Sequence, residues 1–120
     1  MGNELKNKYD DRGTVDIMKK VIVPNTTLET AIDQMAEEAT ELSHAAQKLA
    51  RIIRGNSPSP VTLVQAIEKL KSEFADVVTC SICLTEKGFC LDGEDVNEMI
   101  KNKICRWAER LEAKSNEKGV

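Results

Sequence analysis

The chain has 120 residues and a mass of 13.3 kDa, which suits one domain of ordinary size. Apolar residues make up 41% of it and aromatic ones only 3%, so any core is aliphatic and favours packed helices over a sandwich or barrel. The net charge of −3 excludes a simple basic nucleic-acid-binding surface, but not an anionic ligand reached through a metal.

No run of 18 apolar residues exists, so no membrane span is expected. The polar start, Met1 to Asp10, lacks the apolar stretch of a secretory signal. Four cysteines without such a signal read as reduced thiols, and the expected compartment is cytoplasmic.

Residues 1–12 read as a polar tail. Thr14 to Val23 holds a short apolar patch, predicted as a short helix that Pro24 ends. Thr26 with Glu29 forms a capping-box pattern and opens a long helix to Arg54. On it Leu28, Ile32, Met35, Ala39, Leu42, Ala46, Leu49 and Ile53 recur at three and four, which makes one apolar face. Gly55 stops it, with Arg51 and Arg54 in the last turn, where cations suit the helix dipole. Asn56 to Pro60 is a loop, and Ser59-Pro60 starts a second helix that runs to Lys87 and is closed by Gly88. A third runs from Glu94 to Ala113. The expected architecture is all-α, of three or four helices, as one domain over 13–113 with a C-terminal tail over 114–120.

The acids carry the functional signal. Glu73 and Asp76 are the only charges in the twelve residues from Glu73 to Leu84, a stretch that reads as buried nearly all round. Residues three apart on a helix are ~60° apart in azimuth, so both carboxylates project from one stripe. No Lys or Arg lies between positions 72 and 86, so the compensating charge is expected from another helix or a bound cation. Glu37, Glu38 and Glu41 lie on the first long helix, with Glu38 and Glu41 at the edge of its apolar face. Two helices that each offer carboxylates at i and i+3 can converge on a hard divalent cation such as Mg²⁺ or Mn²⁺.

These residues resemble a known family. Glu37-Glu38-x-x-Glu41, then Glu73-x-x-Asp76, then Lys101-Asn102-Lys103-x-x-Arg106-Trp107 resembles the MazG-like all-α nucleoside triphosphate pyrophosphatases, over roughly residues 25 to 112. The resemblance implies hydrolysis of a nucleoside triphosphate between its α and β phosphates. It implies Glu38, Glu41, Glu73 and Asp76 as Mg²⁺ ligands, with Mn²⁺ able to substitute. Glu37 and Glu38 match the catalytic acids, Glu37 assisting a second metal or the attacking water. Lys103 and Arg106, with Lys101 and Asn102, are the implied phosphate or base contacts. Lys48 and Arg51 are weaker candidates for the same role. It also implies a homodimer or homotetramer in which paired helices complete a four-helix bundle, with no nucleic-acid or membrane partner. The chemistry is consistent: a triphosphate carries about four negative charges, and only a metal lets a cluster of acids hold it.

Each feature also has a plainer reading. The Glu37–Glu41 group alone suits a solvated helix face. Glu73 and Asp76 alone suit a salt bridge with a neighbouring helix. Cys80 and Cys83 share the stripe of Glu73 and Asp76, but mid-helix they read as packing thiols, as does Cys105. His44 follows Glu41 by three, which is half of a di-iron bundle motif. Trp107 suits either a packed helix or an oligomer interface. The alternatives to a nucleotide-pool pyrophosphohydrolase are therefore three: a phosphoribosyl-ATP pyrophosphatase-like enzyme, a di-iron bundle, and a non-enzymatic helical interaction module.

Overall fold

The computed structural model describes residues 12–55 and 61–118, and these are helical with no strand among them. Helix α1 (Thr14–Ile17) is a single turn, continued by a π-helical turn at Met18–Ile22 and a 3-10 turn at Val23–Asn25. The other elements are three long helices, α2 (Leu28–Arg54), α3 (Leu63–Glu86) and α4 (Glu94–Lys118).

Helix α2 is capped by Thr27, whose hydroxyl accepts from the Thr30 backbone N–H at 3.0 Å. The expected cap, Thr26, is taken up otherwise: its own N–H reaches the Val23 carbonyl at 3.4 Å and closes the preceding turn. At the other end Gly55 adopts φ 70°, and its N–H closes on the Arg51 and Ile52 carbonyls. The expected start of the second helix, Ser59-Pro60, lies outside the described residues. The described helix begins with a full capping box: Thr62 Oγ1 accepts from Gln65 N–H at 3.1 Å, and Gln65 Oε1 accepts from Thr62 N–H at 3.0 Å. Gly88, at φ 92°, follows its C-terminus as expected.

Helices α2 and α3 pair as an antiparallel hairpin. Ala31 packs beside Cys83 and Leu84 at one end, and Ala45 lies beside Ala66 at the other. The inward stripe of α2 is Ala31, Met35, Glu38, Leu42, Ala45, Leu49 and Ile52, all buried or half-buried. That of α3 is Ala66, Leu70, Glu73, Val77, Cys80 and Leu84. Both alternate by four and three, the seam of helices packed side by side. The expected α2 face is thus turned: Met35, Leu42 and Leu49 point inward, but Leu28, Ile32 and Ile53 are exposed. Small residues at 31 and 45 allow close approach of the backbones, so the seam runs through the alanines and leaves the larger side chains on the flank. Helix α3 likewise is covered on one side and not all round, since this hairpin offers it a single long neighbour; Phe74 is 59% exposed.

The packed core lies where the N-terminal segment crosses the end of the hairpin. Met18, Ala31, Cys83 and Leu84 are buried together, flanked by Val23, Met35, Ile82 and Leu91. Lys87 Nζ fastens the segment by donating to the Val23 carbonyl at 2.8 Å. Helix α4 stands apart. Every described side chain from Glu98 to Glu117 is exposed, Cys105 included, against the expectation of a core thiol. The helix also runs to Lys118, through the residues expected as a frayed tail, because no Gly or Pro interrupts it before Gly119.

Candidate metal centre

The seam is apolar or small except where it carries Glu38 on α2 and Glu73 on α3, opposite one another midway along the hairpin. Asp76 follows Glu73 by three and stands at the exposed edge. One carboxylate oxygen from each of the three lies within 4.8 Å of the others. Two carboxylates at seam positions are costly without a counter-charge, since burial disfavours the ionised form.

Glu73 is 5% exposed, and its Oε1 lies 2.7 Å from Lys69 Nζ. The compensating cation was expected from another helix or a metal, but it stands on α3 itself, one turn before Glu73. The pattern Lys69-x-x-x-Glu73 was legible as an i, i+4 pair, the reverse of the more favourable Glu-to-Lys order. The hydrogen bond and charge of Glu73 hold the Lys69 ammonium above its usual range, and Glu41 and Asp76 add to that. Glu38 Oε1 accepts from Gln34 Nε2 at 2.8 Å. Among the described residues Asp76 forms no ion pair.

An all-oxygen donor set suits Mg²⁺ or Mn²⁺. Around Mg²⁺ neighbouring oxygens are about 3 Å apart and opposite ones about 4.2 Å, so the three, now within 4.8 Å of one another, must draw together to close on one ion. The residues present therefore fit a hard divalent cation, provided that Lys69, 62% exposed, swings outward. Half-buried Cys80 lies on the same stripe; burial, then the charge of Glu38, pushes its thiol upward. It is a neutral neighbour here, and Cys83 is buried in the core.

Glu41 and Glu37 are exposed and stand outside the triad, although the charge of Glu41 reaches Lys69. His44 is exposed and is not part of the cluster. Lys48 lines a cavity of about 310 Å³ toward the hairpin loop, together with Ala45, Val61, Gln65, Ala66 and Lys69. That cavity adjoins the carboxylates through Lys69, a residue that the sequence reading did not single out. Asn102, Lys103 and Arg106 lie on α4, which forms no packed interface with the hairpin. Within the chain they are not brought to the acids.

No family model, no curated protein and no solved structure matches this chain.

Proposed function

We propose that the chain is a Mg²⁺-dependent nucleoside triphosphate pyrophosphohydrolase that yields a nucleoside monophosphate and pyrophosphate. The observation that carries this reading is the convergence of Glu38, Glu73 and Asp76 from two helices at positions where the seam should be apolar. Residues that break a packing rule without a packing gain are the usual mark of a site.

In this reading Glu38, Glu73 and Asp76 hold the cation, and Glu41 turns in from the exposed edge as a fourth ligand. A cation held there would neutralise triphosphate charge and lower the pKa of a water. Glu37, on the solvent side of Glu38, accepts a proton from the attacking water at its carboxylate. Lys48 and Lys69, at the adjoining cavity, hold phosphate oxygens. With a cation held at Glu73, the Lys69 ammonium would be available to pair with the substrate. Asn102, Lys103 and Arg106 are not brought to the acids within the chain, so only another copy, in a homodimer or homotetramer, could bring them there. The free thiols suit a cytoplasmic setting.

The Lys69–Glu73 pair favours a second reading, in which the acids are neutralised within the chain and the protein is a helical interaction module. Pyrophosphate release separates the two. The panel is the NTPs, the dNTPs and phosphoribosyl-ATP, each with Mg²⁺, Mn²⁺ or EDTA. Release that needs metal and disappears in Glu38→Gln supports the enzyme. No release from any substrate with either metal removes it.

A further inference from the structure

Two apolar surfaces stand open among the described residues. One is concave: a trough of about 530 Å³ between the N-terminal segment and α3, lined chiefly by Ile17, Met18, Ile22, Phe74, Val78 and Ile82. Phe74, Val78 and Ile82 lie roughly 100–180° round α3 from Glu73, on the face turned away from the seam. The other is convex. Ile100, Ile104, Trp107 and Leu111 follow one another by four, three and four along α4, a seam on a helix exposed from Glu98 to Glu117; they are 47–64% exposed.

We infer that the α4 seam of a second copy lies in this trough, and that the exchange is reciprocal. The surface area argues for it. The chain exposes 9170 Å², against ~6,500 Å² for a compact monomer of this mass. Its radius of gyration is 18.5 Å, against ~13.6 Å for a compact domain of this length. The surplus, about 2,700 Å² by that same scaling, exceeds the roughly 1,000–2,500 Å² that each chain of an obligate homodimer buries, so an interface of that size leaves area to spare. One two-fold axis covers both surfaces on both copies and leaves no open end. A small-molecule occupant fits less well. Such pockets present a few convergent polar groups, and here the side-chain hydroxyls are only those of Thr14 and Thr79.

The inference takes from the proposed function only the expectation of an oligomer. It places the exchanged helix on the back of α3, so the carboxylate site of each copy is built from its own hairpin.

Sedimentation velocity of the full chain tests it, with Trp107, the only tryptophan, as a second readout. The comparison is wild type, Ile104→Asp on the seam, and Phe74→Asp and Ile17→Asp in the trough. All three positions are more than half exposed in the single chain, so the folded hairpin survives, which far-UV circular dichroism checks. The expected result is a wild-type dimer whose Trp107 emission shifts to the red on dilution. Each variant should weaken dimerisation by on the order of 100-fold. A wild type that stays monomeric across the micromolar range overturns the inference, whether Trp107 is exposed or folded back onto its own trough. A dimer broken by Ile104→Asp but kept by both trough variants overturns it too, because the seams would then pair with each other. Pyrophosphate release is measured on the same samples. A dimer without activity leaves the interface standing and removes the nucleotide reading, and an active monomer does the reverse.

Discussion

Lys69 Nζ lies 2.7 Å from Glu73 Oε1, and the two differ sharply in burial: the lysine side chain is 62% exposed and the glutamate 7%. The lysine reaches in from solvent to hold a charge that the seam cannot leave bare. It therefore stands where a cation would compete. Lys69→Met should lower the melting temperature in EDTA, because the buried carboxylate loses its partner. With Mg²⁺ the deficit should shrink, and Mg²⁺ should bind several-fold tighter than to wild type. Weaker Mg²⁺ binding by Lys69→Met in calorimetric titration would count against a cation at Glu73.

The same pair has an alkaline signature. Glu73 raises the Lys69 pKa from its usual 10.5 in the folded chain. A raised basic group contributes stability that is whole below the unfolded value and lost as pH rises through the folded one. Stability attributable to this pair should therefore be flat up to about pH 10 and fall above the ordinary lysine range. Urea titrations of wild type and Lys69→Met should converge there. A gap that widened with alkaline pH would refute the pairing.

Glu38 and Glu73 occupy seam positions that packing alone would give to leucine. Glu38→Leu and Glu73→Leu should each stabilise the metal-free chain by about 1–2 kcal/mol, from added apolar burial and lost carboxylate repulsion. A bound cation at a hundred times its dissociation constant contributes about 2.7 kcal/mol. Wild type should gain that on saturation with Mg²⁺, and the leucine variants should gain nothing. If thermal melts show the same Mg²⁺ gain in all three proteins, the triad is not where the ion binds.

Cys80 reports on the same charges. Burial holds its thiol above the usual value, and Glu38, Cys83 and Asp76 push it further. A raised acid is neutral over a wider pH range, so alkylation by iodoacetamide should need a more alkaline solution than a free thiol does. Glu38→Gln removes one of these causes and should move the pH of half-maximal alkylation downward. Peptide mapping by mass spectrometry reads it, and no shift in Glu38→Gln would mean that the two side chains are not neighbours.

Much of this arrangement was legible in the chain itself. Gly55 and the three-and-four spacing marked α2, because chain stiffness and apolar periodicity are local properties. The order of acids on two helices was legible for the same reason. The facing stripe was not: two stripes about 60° apart, one through Ile32 and Ile53 and one through Ala31 and Ala45, share Met35, Leu42 and Leu49. Only the partner helix decides between them, and it chose the alanines. That choice moved Glu38 from the edge of the face into the seam. Where the α4 cations stand was not legible, on similar grounds. Lys103 and Arg106 are regular in sequence, but nothing local says which body their helix packs on.

Leu84 is the largest fully buried side chain, 1% exposed, and it joins the end of α3 to the N-terminal segment through Met18 and Val23. Leu84→Ala removes that contact where the surroundings cannot collapse easily, since helix ends and the Lys87–Val23 hydrogen bond fix the neighbours. The expected cost is about 2–5 kcal/mol of global stability. The segment should loosen first, because it joins this core through Met18 and Val23. Trypsin cleavage after Lys19 and Lys20, both exposed, should therefore accelerate before the hairpin melts. Lys87→Met, which deletes only the hydrogen bond, should do the same to a smaller degree. The carboxylates lie about two turns along α3 from Leu84 or farther, so the Mg²⁺ response should survive in both variants below their melting temperatures. Unchanged cleavage in Leu84→Ala would show that the segment is held by something other than this cluster.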